Sequence, residues 1–186
     1  MIKQSINTET LYLKGIHGIT HSYRVLLIAR KLADLEQLTA SKKELLEFCA
    51  IFHDIGRECD GEDNFHGQES ISKLNKNNFF GFKKFNNALT YYIIENHCII
   101  DNKAFDIADK YEIKDLKEAI YLLKLFKDAD NLDRFRLNDF DSNYLRTENS
   151  FTLIPFAKEL NAKLFSEIEI MKEFESFINQ INTNTI

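Results

Sequence analysis

His53 and Asp54 stand side by side in the string FCAIFHDIGR, an imidazole and a carboxylate at the end of an apolar run that includes Phe48, Ile51 and Phe52. Buried groups of this kind cost free energy unless they are paired or bind a metal. More residues of metal-ligand type are spread along the chain: His17 and His21 before the pair, then His66, His97 and Asp130 after it. Imidazole with carboxylate suits Mn, Fe, Co, Ni or Zn, with Mg as a further option. A bound ion lowers the pKa of its water from 15.7 to about 7, which supplies a hydroxide nucleophile, and it polarises a phosphoryl oxygen. Metal-assisted hydrolysis is the chemistry these residue types could perform.

The elements that must hold them are helices. Gly and Pro number only 6 and 1, and apolar residues recur with helical period nearly throughout. The pattern predicts a helix from about Gly18 to Ala33 and a second one announced by the capping box Ser41-Lys42-Lys43-Glu44, with Gly56 ending it in a left-handed turn. A polar, acidic loop follows from Arg57 to Phe65 and is a candidate lid. A short helix is expected from Gly67 to Leu74, a turn from Asn75 to Gly81, and helices over Lys83–Ile99 and Ile113–Arg136. The string Leu145 to Asn149 has no assigned element. Pro155 suits the first turn of a final helix, whose Leu160, Leu164, Ile168, Met171, Phe174 and Ile178 form a core-facing stripe. The expectation is an all-α fold, a bundle of about six to eight helices. Residues 1–186 read as one domain, with the motif-bearing core at about 15–140 and a C-terminal helical extension at about 150–183.

Helical spacing aims several ligand candidates inward. His21 shares a stripe with Val25, Ile28 and Leu32, Asp130 follows Leu123 by two turns and Phe126 by one, and His97 shares a face with Ile93 and Ile100. Inward ionisable groups on separate helices are what a metal site in a bundle core is made of.

Three strings in this order resemble the HD superfamily of metal-dependent phosphohydrolases: His17-Gly18-Ile19-Thr20-His21-Ser22-Tyr23-Arg24-Val25, His53-Asp54-Ile55-Gly56-Arg57, and Lys127-Asp128-Ala129-Asp130-Asn131-Leu132-Asp133-Arg134-Phe135-Arg136. The resemblance covers roughly residues 15–140 and places the family's four metal ligands on His21, His53, Asp54 and Asp130. Some HD subfamilies hold a second metal on extra histidines between the HD pair and the last Asp, and His66-Gly67-Gln68-Glu69-Ser70 resembles that insertion. Binuclear subfamilies often carry two adjacent histidines there, whereas here Asn96 precedes a single His97. One ion is therefore the first expectation, and a second on His66 and His97 is the alternative. The strings Leu132–Leu137 and Tyr144–Arg146 resemble a subset of HD proteins with no assigned substrate.

The implied activity is hydrolysis of a phosphomonoester or phosphodiester, a nucleotide or related small phosphate. Asp54 would bind metal or orient water, and His66 or His97 would protonate the leaving oxygen. Arg24, Arg57, Arg134 and Arg136 are the candidate clamps for the phosphate, with Lys127 and Arg146 as further cations. Two other functions fit the same residues: a di-iron, O2-dependent oxygenase of the HD type, and a non-catalytic metal-stabilised binding or signalling module. A net charge of −5 argues against a nucleic-acid polymer as partner. No run approaches the roughly 20 apolar residues of a membrane span, and MIKQSINTET lacks the apolar core of a signal peptide. Cys49, Cys59 and Cys98 have no CxxC spacing and suggest no disulfide framework, so a cytoplasmic location is expected. The stripe on the last helix fits a core cover and a homo-oligomer contact equally well.

Overall fold

The stripe His21, Val25, Ile28 and Leu32 is buried along one face of α1 (Ile19–Leu35), as its spacing predicts. The structure, a computed structural model, describes residues 11–13, 15–76 and 82–183. α1 packs against α2 (Ala40–Phe52), and α3 (His66–Lys76) follows the loop after α2. The chain continues through the short α4 (Phe82–Phe85), α5 (Ala88–Asn96), the short α6 (Asp101–Asp106) and α7 (Leu116–Leu132). α8 (Glu148–Thr152), α9 (Ile154–Ala162) and α10 (Glu167–Thr183) complete it. No strand occurs among the described residues, so the all-α expectation holds. The helical segments outnumber the six to eight expected because α4, α6 and α8 are pieces of only 4, 6 and 5 residues.

One hydrophobic cluster runs from Leu11 through α1, α2, α5 and α7 to Ile181 on α10. α7 lies against both α1 and α5, and α3 lies against α5. Each fully buried Leu, Ile or Phe in such a cluster contributes ~1.5–3 kcal/mol. α7 begins where Asp115 accepts a hydrogen bond from the Glu118 N–H, and α5 where Asn87 accepts from the Thr90 N–H.

Several boundaries differ from expectation for identifiable reasons. The helix expected over Lys83–Ile99 is split, because the Asn86-Asn87 pair supplies a new cap for α5. Thr39, not Ser41, is the cap position of α2. The helix expected to end at Arg136 stops at Leu132 and tightens into a 3-10 turn over Asp133–Leu137. The final helix is two helices, broken at residues 163–166, and the break takes Leu164 and Ile168 off the core: they are 99% and 68% exposed. Ile170, Phe174, Phe177, Ile178 and Ile181 form the buried stripe instead. Ile100, expected to share His97's buried face, lies past the end of α5 and is 65% exposed. The unassigned string at Leu145 leads into α8, and most of the turn expected at Asn75–Gly81 lies outside the described residues.

Candidate metal centre

The site is built where five helices end. His21 sits in the first turn of α1, His53 and Asp54 directly after α2, and His66 at the start of α3. His97 caps the C-terminus of α5, and Asp130 lies in the last turn of α7. Two glycines let these ends meet. A Cβ on Gly56 would stand 2.3 Å from the His66 carbonyl oxygen and from the Ser70 nitrogen, and one on Gly67 would stand 2.4 Å from the Ile94 carbonyl oxygen. Gly56 is needed for this approach of α3, not for the left-handed turn expected of it; among the described residues only Gly15 is a glycine with positive φ. Ser70 fastens the same junction. Its Oγ accepts from the Gly56 N–H at 2.8 Å and donates to the His53 carbonyl at 2.6 Å.

Each of four histidines has its Nδ1 against an oxygen that can only accept. His21 Nδ1 meets Asp133 Oδ2 at 2.8 Å and His53 Nδ1 the Ala50 carbonyl at 3.0 Å. His66 Nδ1 meets the Asp63 carbonyl at 2.5 Å and His97 Nδ1 the Ile94 carbonyl at 2.7 Å. Hydrogen therefore belongs on Nδ1, and each neutral ring turns its Nε2 lone pair the other way. Those lone pairs converge: His21 and His53 meet at 3.1 Å, His66 and His97 at 2.9 Å. Two facing lone pairs repel unless a cation lies between them.

Asp54 stands between the two pairs. Its Oδ2 is 3.5 Å and 3.6 Å from Nε2 of His21 and His53, and its Oδ1 is 3.0 Å and 3.5 Å from Nε2 of His66 and His97. Oδ1 is buried and has no hydrogen-bond donor. The Arg57 guanidinium, with Nε at 3.1 Å, offsets part of its charge, and a metal ion on the histidine side would supply the partner that hydrogen bonding does not. Asp130 Oδ1 closes the first half at 3.3 Å from His21 Nε2 and 4.0 Å from His53 Nε2. His21, His53 and Asp130 thus form one ligand group, and His53, Asp54 and His97 another. The donor set fits divalent metal.

The charges agree with the geometry. Burial opposes a charged Asp54, but His53, His17, His66 and His97 outweigh it and hold the carboxyl well below its usual range. Asp130 is likewise lowered: His21 and His53 overcome the effect of burial. Burial pushes His53 down to about 3, so this imidazole is neutral and ready to coordinate. His21 is raised, since Asp130 and Asp133 outweigh burial and the Arg136 guanidinium. Protons compete with a metal ion for these nitrogens, so metal binding is coupled to proton release.

A cleft of about 470 Å³ opens onto the cluster, with Ile16, His17, Asp54, His66, His97 and Asp130 on its floor and wall. Arg57, Arg134 and Arg136 line it, and Arg24 does not. Arg24 is buried and pairs with Asp133, its Nη2 donating to Oδ2 at 3.1 Å, which corrects its expected substrate role. Arg134 is partnered by Asp139 at the surface. Lys127 and Arg146 are committed to Asp101, and Arg146 also to Asp128. Arg57 Nε lies 3.1 Å from Asp54 Oδ1 and Arg136 Nη1 lies 3.3 Å from Asp133 Oδ2, so both guanidiniums are ion-paired to buried carboxylates at the cleft, in contacts without hydrogen-bond geometry.

His17 reaches the site too, with Nδ1 3.1 Å from Asp54 Oδ2. Asp133 has two partners here: it receives His21 Nδ1 and lies 3.3 Å from Arg136 Nη1. The loop after Arg57 forms one cleft wall through Asp60, Gly61, Glu62, Asp63 and Asn64. Sequence reading missed Ser70, Asp60 and Asp63. Asp60 accepts from the backbone N–H groups of Ile16 and His17 at 3.1 Å and 3.2 Å, and Asp63 accepts from the His66 N–H at 3.1 Å. Only Asp63 carries a signal, since an Asp three residues before a helical His is a cap pattern.

A family model for the HD domain matches residues 18–134, more than half of the chain. The chain belongs to the HD-domain family, whose members bind divalent metals and are mostly metal-dependent hydrolases. Searches of the curated proteins and of the solved structures returned no match. No helix among the described residues is long and apolar enough to cross a membrane.

Proposed function

We propose that this protein is a metal-dependent phosphohydrolase of a small phosphomonoester or phosphodiester, a nucleotide or related compound, working with two divalent ions on either side of Asp54. The observation that carries the reading is the Asp54 carboxylate set between two pairs of imidazole Nε2 atoms. His21, His53, Asp54 and Asp130 would hold one ion; His66, His97 and the second oxygen of Asp54 would hold the other. Bound divalent ions supply positive charge at the phosphoryl oxygens and acidify the attacking water.

The protein's own groups do the rest. Arg57 and Arg136 line the cleft, paired to Asp54 and Asp133 on its inner side, and hold the phosphoryl oxygens, apt work for a guanidinium fork. His66 and His97 are ligands in this reading and do not serve as the proton donor. His17 stands in the cleft wall beside Asp54 and is the imidazole left to protonate the leaving oxygen. Asp60, Glu62 and Asp63 on the rim disfavour a polyanion, which supports a small substrate. The HD-type oxygenase reading uses the same ligands, but the two guanidiniums that line the cleft favour an anionic phosphoryl group over it.

The test is phosphate release from a panel of phosphomonoesters, and phosphomonoester release from phosphodiesters, by metal-free protein reloaded with Mn, Fe, Co, Ni, Zn or Mg. Turnover should require metal, and Arg57→Ala and Arg136→Ala should each raise KM about tenfold or more, the loss of a charge-assisted contact. Metal-loaded protein that cleaves no ester in the panel, or metal-independent cleavage, would sink the proposal.

A further inference from the structure

The two halves of the site differ in one donor. His66, His97 and Cys98 each offer a ligand atom, all within 4.8 Å of one another, and Cys98 lines the same cleft as the two histidines. Asp54 Oδ1, buried and without a hydrogen-bond donor, stands 3.0 Å from His66 Nε2 in this half and 3.1 Å from Arg57 Nε. The thiol has the Asn64 carbonyl at 3.6 Å as acceptor, a long contact that a metal bond readily replaces. No cysteine belongs to the group His21, His53 and Asp130.

We propose that Cys98 is a thiolate ligand of the second ion, completing a set of two imidazoles, one carboxylate oxygen and one sulfur with His66, His97 and Asp54. The proposal rests on the two-ion reading above. It makes the halves chemically unequal. Nitrogen and oxygen donors in the His21 half accept hard and borderline ions alike, whereas a sulfur in the His66 half favours Zn or Co over Mg. Zinc bonds to sulfur are about 2.3 Å and to imidazole nitrogen about 2.0–2.1 Å, so an ion here draws the three side chains closer. Coordination forms a sulfur–metal bond and releases the thiol proton to water, with no change of oxidation state. The other cysteines are elsewhere: Cys49 is buried in the α2 core and Cys59 is exposed on the loop.

The experiment is titration of the metal-free, reduced full chain with Co under anaerobic conditions, followed by absorption. Wild type and Cys59→Ser should develop a thiolate-to-cobalt charge-transfer band in the near ultraviolet as the second equivalent binds. Cys98→Ser should keep the visible d–d bands of the first ion and lose the charge-transfer band, with second-site Zn affinity reduced at least tenfold. A readout that leaves Cys98 in place is alkylation by iodoacetamide in the Cys59→Ser protein: Zn should slow modification of Cys98 at least tenfold, and Mg should not. Two bound Co ions without a charge-transfer band, or a band that survives in Cys98→Ser, would overturn the thiolate while leaving the two-ion reading standing. Uptake of one Co or none would overturn the two-ion reading and the thiolate together.

Discussion

Asp128 and Asp130 lie two residues apart on α7 and face opposite fates. Asp128 is fully buried and saturated: it accepts from the Arg146 and Thr147 N–H groups at 2.9 Å each, from the Thr147 hydroxyl at 2.7 Å and from Arg146 Nη1 at 3.2 Å. Arg146 continues to Asp101, which also receives Lys127 at 2.7 Å. Every charge in that network has its partner within the chain. Asp130 points into a cluster whose nitrogens oppose one another and whose central Asp54 has an oxygen with ion-pair contacts but no hydrogen-bond donor. A carboxylate that the fold uses for stability is paid in full by hydrogen bonds; one held for a cation is left incomplete. Burial agrees with this difference, the Asp130 side chain being 31% exposed and Asp128 fully buried, and the donor count explains it.

Substitution of each partner should separate the roles. Asp130→Ala is expected to lower metal affinity by more than the roughly 10- to 100-fold typical of outer-shell changes and to reduce turnover to background, measured by elemental analysis and phosphate release. Unchanged metal content would remove Asp130 from the ligand set.

Acid should be nearly as damaging to the metal-free chain. His53 is pushed down to about 3 from 6.5, so between those values the unfolded chain binds the extra proton and stability falls as pH falls. The lowered carboxyls of Asp54 and Asp130 add to the loss below 3.8. His21 has the opposite sign: its stabilisation is present below 6.5 and is lost as pH rises through its raised value. Asp128, raised by burial, adds nothing to the acid loss, which sharpens the contrast between the two carboxylates. Calorimetry of metal-free protein should show the melting temperature falling from pH 6.5 toward 3, and a flat profile would show that His53 is not held neutral by burial.

Asp128→Ala should lose about 3–5 kcal/mol in denaturant unfolding, the cost of stranding a buried partner charge, while retaining full metal stoichiometry. Lost metal in that variant would collapse the distinction. Asp133→Ala, which frees the His21 ring without removing a ligand, should cost roughly 10- to 100-fold in metal affinity at unchanged stoichiometry. A smaller change by metal titration would mean that the α1 packing alone orients His21.

Much of this protein was legible before any coordinates. Helical periodicity and the scarcity of Gly and Pro determined the all-α class, because a buried face must recur every three to four residues. The stripe of Val25, Ile28 and Leu32 fixed the inward direction of His21, and the order of the three strings pointed to metal. Breaks inside long apolar patterns were not legible: α9 and α10 read as one helix because Leu164 and Ile168 continue the period on paper, and only the bend at residues 163–166 exposes them. The arginines were least legible of all. Arg24, Arg57, Arg134 and Arg136 look alike in sequence, and their roles depend on which carboxylate lies within reach. Partner choice is set by contacts between residues far apart in the chain, such as Arg24 with Asp133 or Asp60 with the turn at His17. Local pattern determines which way a side chain leaves its helix; only the meeting of helix ends decides what it finds there.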